Sequence, residues 1–498
     1  MRRTGPESIL EAEVQLHANP AGTLDALRRL GVSRVRVYVA WDSLAPDPGS
    51  RTRPPQFNAA DPAAYPSSSW AIYDTIVRDA LARGMGLDFT VGAPPPLWAR
   101  GPGDPGHPVH PQWRPSAREF GLFMHALGTR YKGDYRPAGA ASPLPHVGFW
   151  SIWNEPNFGP DLAPQAIDGS KVEVSPMLYR NLLDAAWTAL HATGHGGDTI
   201  LFGETAPAGQ SVNGPGRFGD MVALRFLRAL YCVDSGYRAL RGTEAAQRGC
   251  PASAAGSARF RNRNPALFGA GGFADHPYSQ GLPPNEPTPN EPDFAELADL
   301  PKVERALDLL QRVYGSSTRF PVYSTEFGYQ TKPPDPEPGT VSQAAAAAYL
   351  NWAEYLSWRD PRVKSYDQYL LVDPALGNFA TGLEAPNGAP KPGYYAYRFP
   401  IYLPATTTLS GHPLEVWGCA RPAHYARLGT RVPQPVQIQY RPLSGGSFRT
   451  VQRVTLTDRY GYFDVLQKFP ASGTVRLAWS YPDGGPEIFS RSVAITIQ

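Results

Sequence analysis

Residues 149–156 read FWSIWNEP and residues 321–328 read PVYSTEFG. Both are aromatic and β-branched runs of the kind that builds strands. Each is closed by a glutamate, Glu155 and Glu326, where Gly, Asn or Asp would be the ordinary turn former. Two carboxyl groups brought together can divide acid/base and nucleophilic work at an acetal carbon. At about 5–5.5 Å they suit a double displacement, and at about 6.5–9.5 Å a direct attack by water. Other groups capable of chemistry sit at or near run ends. Asn154 directly precedes Glu155, Arg36 lies in VRVYVAW (35–41), and Glu204 closes TILFGE (199–204). His276 and Tyr278 fall in GGFADHPY (271–278), and Trp98 in PPPLWA (94–99). Singly, each has a plainer reading: a helix cap for Glu155, an ion pair with Arg36 for Glu326, a hydrogen-bonded core position for His276, a loop anchor for Trp98. Two glutamates in register at strand ends are harder to account for without chemistry.

The rest of the chain must bring these groups to one place. TLDALRRLG (23–31) is amphipathic and stops at Gly31, a helix-ending signal. Strand-like VRVYVAW follows, then a helical pattern over 70–84, then LDFTVG (87–92). The alternation continues with helices near 116–131, 177–192, 218–231 and 301–314, the Ala-rich helix 341–358, and a short helical stretch near 392–398. Between them fall HVGFWSIW (146–153), TILFGE, GGFADHPY, PVYSTEFG and SYDQYLLVD (365–373). With SILEAEVQL (8–16) as the first strand there are eight strand–helix units, which argues for a closed (β/α)8 TIM barrel over an open sheet. Such barrels carry their active sites at the C-terminal ends of the strands, where the groups named above lie.

After residue 400 the texture changes to short alternating segments at hairpin spacing: 432–442, 447–458, 461–469, 473–482 and 488–498. The expectation is a catalytic barrel over 1–400 and an antiparallel, immunoglobulin-like β-sandwich over 401–498. Tyr460, Tyr462 and Trp479 fall within its strand patterns and read as core.

The chain, 498 residues, is long enough for a large domain and a smaller one. Its net charge of +3 is small, and the Lys and Arg residues of the C-terminal part are unclustered, so nucleic acid is not an expected partner. No apolar stretch approaches the roughly 18–20 residues needed to cross a bilayer. Met1-Arg2-Arg3 is basic, but Glu11 and Glu13 stand where the apolar region of a signal peptide belongs. Of three cysteines, Cys232 and Cys250 bracket a loop and suit either a local disulfide of an exported protein or two free thiols. The three lack zinc-ligand spacing.

In this order and context, NEP after the fourth strand and TEFG at the seventh resemble the signatures of the large clan of retaining (β/α)8 glycoside hydrolases. That clan includes β-glucosidases, β-xylosidases, cellulases and α-L-arabinofuranosidase relatives. The resemblance runs over residues 8–400 and is greatest to actinobacterial-type cellulase barrels. It implies Glu155 as general acid/base, Glu326 as nucleophile, and Asn154 as the partner of the sugar 2-hydroxyl. Arg36 matches the second-strand arginine that orients the nucleophile, His276 and Tyr278 match a sixth-strand pair lining the site, and Trp98 suits a sugar-stacking platform. Glu204 faces the same end of the barrel, as an acid behind the pair or a substrate contact. The expected activity is hydrolysis of O-glycosidic bonds in an oligosaccharide, polysaccharide or glycoconjugate, by exo-action on a β-glycoside. It needs no metal and no organic cofactor, and its partner is a carbohydrate rather than nucleic acid or a membrane. A transglycosylase, an inverting hydrolase and a non-catalytic carbohydrate-binding barrel are the alternatives, and a binder has no need of both glutamates. A secreted bacterial protein is expected, with a cytoplasmic one left open.

Overall fold

The computed structural model describes residues 5–498 except 105, 107–111, 168, 212–213, 377, 423–434 and 481–484. Met1-Arg2-Arg3 and the ends of two expected strands, 432–434 and 481–482, lie outside the described residues.

Eight parallel strands close into a barrel: β1 (Glu7–Glu11), β2 (Arg34–Ala40), β3 (Gly86–Gly92), β4 (Phe149–Ile152), β5 (Thr199–Thr205), β6 (Gly272–Asp275), β7 (Val322–Ser324) and β8 (Val363–Tyr369). The ring closes through β1 and β8, with Glu11 opposite Tyr369. Helices follow the strands: α1 (Pro20–Leu30), α2 (Ser67–Ala82), α3 (Ala117–Arg130), α4 (Ser175–Ala192), α5 (Ala223–Leu230), α6 (Leu300–Val313), α7 (Gln343–Arg359) and α8 (Pro392–Arg398). The local chemistry of α1 shows why it spans those residues. Asn19 caps it by accepting from the Gly22 N–H at 3.1 Å, Pro20 opens it, and Gly31 ends it at φ 85°.

Alternation sorts the strand side chains between two environments. Val35, Val37 and Val39 of β2, Phe89 and Val91 of β3, and Trp150 and Ile152 of β4 join the apolar core shared with the helices. The opposite faces fill the barrel in two zones. Phe149, Leu201, Ala274 and Tyr323 plug the N-terminal half. Above them lie buried Arg36, Asp88, Ser151 and Asp367.

The expected strands that carry the chemistry are shorter than their sequence patterns. β1 stops at Glu11 and the chain turns into a helix at Glu13–Ala18, so SILEAEVQL is half strand and half helix. β4, β6 and β7 end at Ile152, Asp275 and Ser324, leaving Glu155, His276, Tyr278 and Glu326 just beyond the strands.

The C-terminal part forms two sheets. One has the order β9 (Ile401–Tyr402), β11 (Pro413–Cys419), β14 (Tyr462–Lys468). The other runs β10 (Thr407–Thr408), β17 (Val493–Ile497), β15 (Gly473–Ser480), β12 (Pro435–Pro442), β13 (Arg449–Thr455), with β16 (Glu487–Phe489) also on β15. Pairing is antiparallel apart from β10 with β17. Val416 and Phe463 from one sheet and Ile438, Leu477 and Trp479 from the other share an apolar core. Three strands, β9, β10 and β11, extend the sequence pattern, and the segment 488–498 is two strands rather than one.

Helix α7 carries the junction with these sheets. Tyr355 of α7 packs with Trp417, Cys419 and Tyr462 in a separate aromatic cluster. Within it Glu354 pairs with Arg421 and accepts from the Tyr462 hydroxyl at 2.8 Å. Cys232 and Cys250, which follow α5, are joined by a disulfide.

Candidate active site

The turn after β4 delivers Glu155 through unusual backbone. Trp153 extends the ladder by donating its N–H to Val91 O at 2.8 Å, then takes φ 70°, and Glu155 itself takes φ 36°. Left-handed conformations at non-glycine residues cost of order 1–3 kcal/mol each and persist where the surroundings enforce them. Here Trp153 supplies the enforcement: its indole is fully buried, donates to Asp161 O at 2.9 Å and packs edge-on against Phe120.

Glu204 reaches the barrel interior by a different device. Strict alternation along β5, with Leu201 inward, would point residue 204 toward the helices. A register shift against β6 at Gly203–Thr205, with φ 112° at Gly203 and 49° at Glu204, turns it inward instead. The bulge is held by the Tyr179 hydroxyl, which accepts from the Gly203 N–H at 2.8 Å and donates to Ile152 O at 3.1 Å. A Cβ at Gly203 would lie 2.4 Å from Ala274 O, so the close approach needs glycine.

Arg36 is the hub of the cluster. Its Nη1 donates to Glu326 Oε1 at 2.7 Å and to the Glu11 carboxylate, and its Nη2 to Asn154 Oδ1 at 2.8 Å and Glu204 Oε2 at 3.1 Å. The second oxygen of Glu326 accepts from the Tyr278 hydroxyl at 2.9 Å. Asn154 is oriented from both ends, because its Nδ2 donates to Asp161 Oδ2 at 2.7 Å. His276 bridges two glutamates, with Nδ1 at 2.9 Å from Glu155 Oε1 and Nε2 at 2.9 Å from Glu204 Oε2. Glu155, His276 and Glu326 each present an atom within 4.8 Å of the others. Both ring nitrogens of His276 are occupied by carboxylates, which leaves no lone pair for a metal.

The electrostatics separate these groups. Burial would lower the His276 imidazolium, but the Glu326 charge and the bonds to Glu155 and Glu204 hold its pKa well above the usual histidine value. Burial likewise would raise Glu204, yet the His276 bond and the Arg36 charge outweigh it and keep that carboxyl low. At Glu155 burial prevails over the same histidine, and the carboxyl is raised. Burial also pushes Glu11 up to about 7 against the pull of Arg36, and Asp161 up to about 8, where the Glu155 charge adds to it. The site therefore holds two firm cations, one firmly ionised glutamate, and several carboxyls inclined to keep their protons.

Two cavities adjoin the cluster. One of about 380 Å³ is lined by Glu155, Phe158, Tyr278, Gln280, Tyr329 and Phe379. The other, about 560 Å³, has Glu11, Glu13, Gln15, Tyr369 and Asp373 among its walls. A further cavity of about 420 Å³, beside Glu7, Arg34 and Gly86, lies at the opposite end of the strands.

Seven of the residues singled out from sequence thus meet: Arg36, Asn154, Glu155, Glu204, His276, Tyr278 and Glu326. Trp98 stands outside this hydrogen-bonded cluster and is partly buried. Its indole donates to Pro46 O at 3.1 Å, and its ring meets Trp41 and Phe57 edge-on. Glu11 and Asp161 are additional members. Glu11 bore the same signal as the others, a glutamate closing a strand, but a strand drawn to residue 16 concealed it. Asp161, in a loop seven residues after Asn154, had no sequence signal.

No known family profile matches the chain, and no curated protein matches it. Solved structures do. A family 39 glycoside hydrolase from Bacteroides cellulosilyticus WH2 aligns over 93% of this chain and 79% of its own, at 14% identity and TM-score 0.46. A GH5_18 protein from Streptomyces cattleya, solved with GlcNAc, aligns over 82% and 84%, at 14% identity and TM-score 0.47. A family 1 β-glucosidase from Thermotoga maritima aligns over 76% and 85%, at 14% identity and TM-score 0.42. Likeness at this level says nothing about activity, which has to be argued from the side chains.

Proposed function

We propose that this protein is a glycoside hydrolase that cleaves O-glycosidic bonds with retention of anomeric configuration. The observation that carries the reading is the approach of Glu155 and Glu326 to within 4.8 Å across the C-terminal end of the barrel. So close an approach of carboxylate oxygens favours the double-displacement class over an inverting site.

The roles follow from the surroundings. Glu326 is the nucleophile, its two oxygens aimed by Arg36 and Tyr278. Glu155 is the general acid, its raised pKa favouring the protonated form. His276 occupies Oε1 of Glu155, which leaves Oε2 to carry the proton toward the leaving oxygen. Departure of the aglycone gives a glycosyl ester on Glu326. Ionised Glu155 then takes a proton from water as that water attacks the anomeric carbon and releases Glu326. Asn154, with Nδ2 and Oδ1 fixed, offers its amide to the sugar 2-hydroxyl. Glu204 acts through His276 and Arg36.

Residues 1–400 are read as the catalytic unit and 401–498 as an immunoglobulin-like support docked on α7. The cavity beside Glu155 favours exo-action on a β-glycoside over an open cleft. The Cys232–Cys250 disulfide favours a secreted protein.

The test is an aryl glycoside panel assayed with wild type, Glu155→Ala and Glu326→Ala, together with NMR of the first-formed anomer. Glu155→Ala should retain turnover of substrates with good leaving groups and be rescued by azide. Glu326→Ala should be nearly inactive. Full activity in either variant, or inversion at the anomeric carbon, would overturn the assignment.

A further inference from the structure

A second cluster lies at the opposite, N-terminal face of the barrel, and nothing in the proposed chemistry uses it. His146 precedes β4, while His195 and Asp198 precede β5. His146 Nε2 lies 3.0 Å from Asp198 Oδ1, and His195 Nδ1 lies 2.6 Å from Asp198 Oδ2. The two imidazoles stack at 5.0 Å between centroids, 14° from parallel.

The remaining ring nitrogens decide what this arrangement means. His195 Nε2 is 2.9 Å from Gly128 O, and His146 Nδ1 is 3.1 Å from Lys132 O. A backbone carbonyl only accepts, so each of those nitrogens carries a hydrogen. In neutral rings the other nitrogens, both facing Asp198, then present lone pairs to a carboxylate. His146 Nε2 faces Oδ1 and His195 Nδ1 faces Oδ2, so two lone pairs stand against one anion, an arrangement that a cation among them relieves. One divalent ion satisfies all three donors at once, and an imidazole whose other N–H is tied to a carbonyl is the usual support of a metal-ligating histidine.

The space around the cluster fits an ion. A Cβ on Gly148 would lie 3.2 Å from His146 Nε2 and 3.3 Å from Asp198 Oδ1, so the glycine leaves room beside those two donor atoms. The His195 side chain is fully buried and Asp198 is 15% exposed, while His146 at 43% opens the cluster to solvent. All three donor atoms lie within 4.8 Å of one another. Tetrahedral zinc, with bonds of about 2.0–2.2 Å, separates its donors by about 3.3 Å. Asp198 and the exposed His146 ring would have to turn to widen their 2.6 and 3.0 Å contacts to that spacing.

We infer that His146, His195 and Asp198 form a structural site for a divalent transition-metal ion, best suited to zinc, with water as the fourth ligand. Two imidazole nitrogens and one carboxylate oxygen are a zinc-type donor set. The ion would tie the start of β4 to the start of β5, at the barrel face associated with stability rather than catalysis.

The test is equilibrium dialysis of the chelator-treated full chain against zinc, with cobalt as a spectroscopic probe. One zinc per chain is expected, with the visible absorption of tetrahedral cobalt, and a Tm rise of about 3 °C at a hundredfold excess over Kd. His146→Ala, at an exposed position, should lose the stoichiometric ion, the cobalt spectrum and the Tm rise. Glu155→Gln should keep all three, which distinguishes this cluster from the carboxylates at the other end. Absence of saturable zinc binding, or binding undiminished in His146→Ala, would overturn the site.

Discussion

The Tyr278 hydroxyl donates to Glu326 at 2.9 Å, on the oxygen that Arg36 leaves open. Hydrogen bonds to a charged partner contribute about 1.5–3 kcal/mol. Tyr278→Phe deletes this one without removing the ring that packs on Phe327 and Phe379. We expect kcat/KM to fall roughly 10- to 150-fold, with thermal stability nearly unchanged. Steady-state kinetics on an aryl glycoside decides it, and an unchanged kcat/KM would remove Tyr278 from the site's function.

Glu155 is raised by burial against the opposing pull of His276. In its proposed role as general acid it works only while protonated, so activity on poor leaving groups should decline as pH rises through its pKa. Glu155→Gln should abolish that basic limb and spare kcat/KM for dinitrophenyl glycosides, whose departure needs no proton, while the second step slows for want of the base. A pH profile of the variant that retains the wild-type basic limb would assign the proton to another group.

Stability should also depend on pH, with a definite sign. Burial raises Glu11 to about 7 and Asp161 to about 8 in the folded protein, from unfolded values near 4. Between those limits the folded chain binds more protons than the unfolded one. The contribution is therefore fully present below about pH 4 and is lost as pH rises toward 7–8. His276, raised well above its usual value, adds the same sign on the alkaline side. Melting temperature should fall from pH 5 to pH 9, and Asp161→Asn should flatten that slope. An equally steep slope in the variant would show that Asp161 does not titrate as described.

Glu354 on α7 and Arg421 are buried to 1% and 2% exposure and pair across the junction between barrel and C-terminal sheets. Removing one partner of a buried pair leaves the other charge without compensation, at a cost of about 3–5 kcal/mol. Glu354→Ala should show that loss in urea unfolding, with activity at low temperature retained. A loss below about 1 kcal/mol would mean that aromatic packing around Trp417 holds the junction without the pair.

Much of the architecture was legible in the chain because alternation is a local property. Val35, Val37 and Val39 mark β2 by period alone, and Gly31 ends α1 by cap chemistry, although the helix begins at Pro20 rather than at residue 23. The glutamates at the ends of β4, β5 and β7 were visible for the same reason, since Glu, unlike Asp, is a poor turn former. Three outcomes needed tertiary structure. Glu204 points inward only because a bulge reverses its side, and that bulge depends on Tyr179 from a different element. Trp98 is tied to Pro46 and Phe57, distant in sequence, by an indole hydrogen bond and an edge-on ring contact. Arg36 meets Glu326 because closure of the ring brings the ends of β2 and β7 together, and His146 meets His195 and Asp198 because β4 pairs with β5. Sequence determines which residues sit at the ends of strands. Only the closed ring decides which ends meet, and burial there sets the charge each one carries.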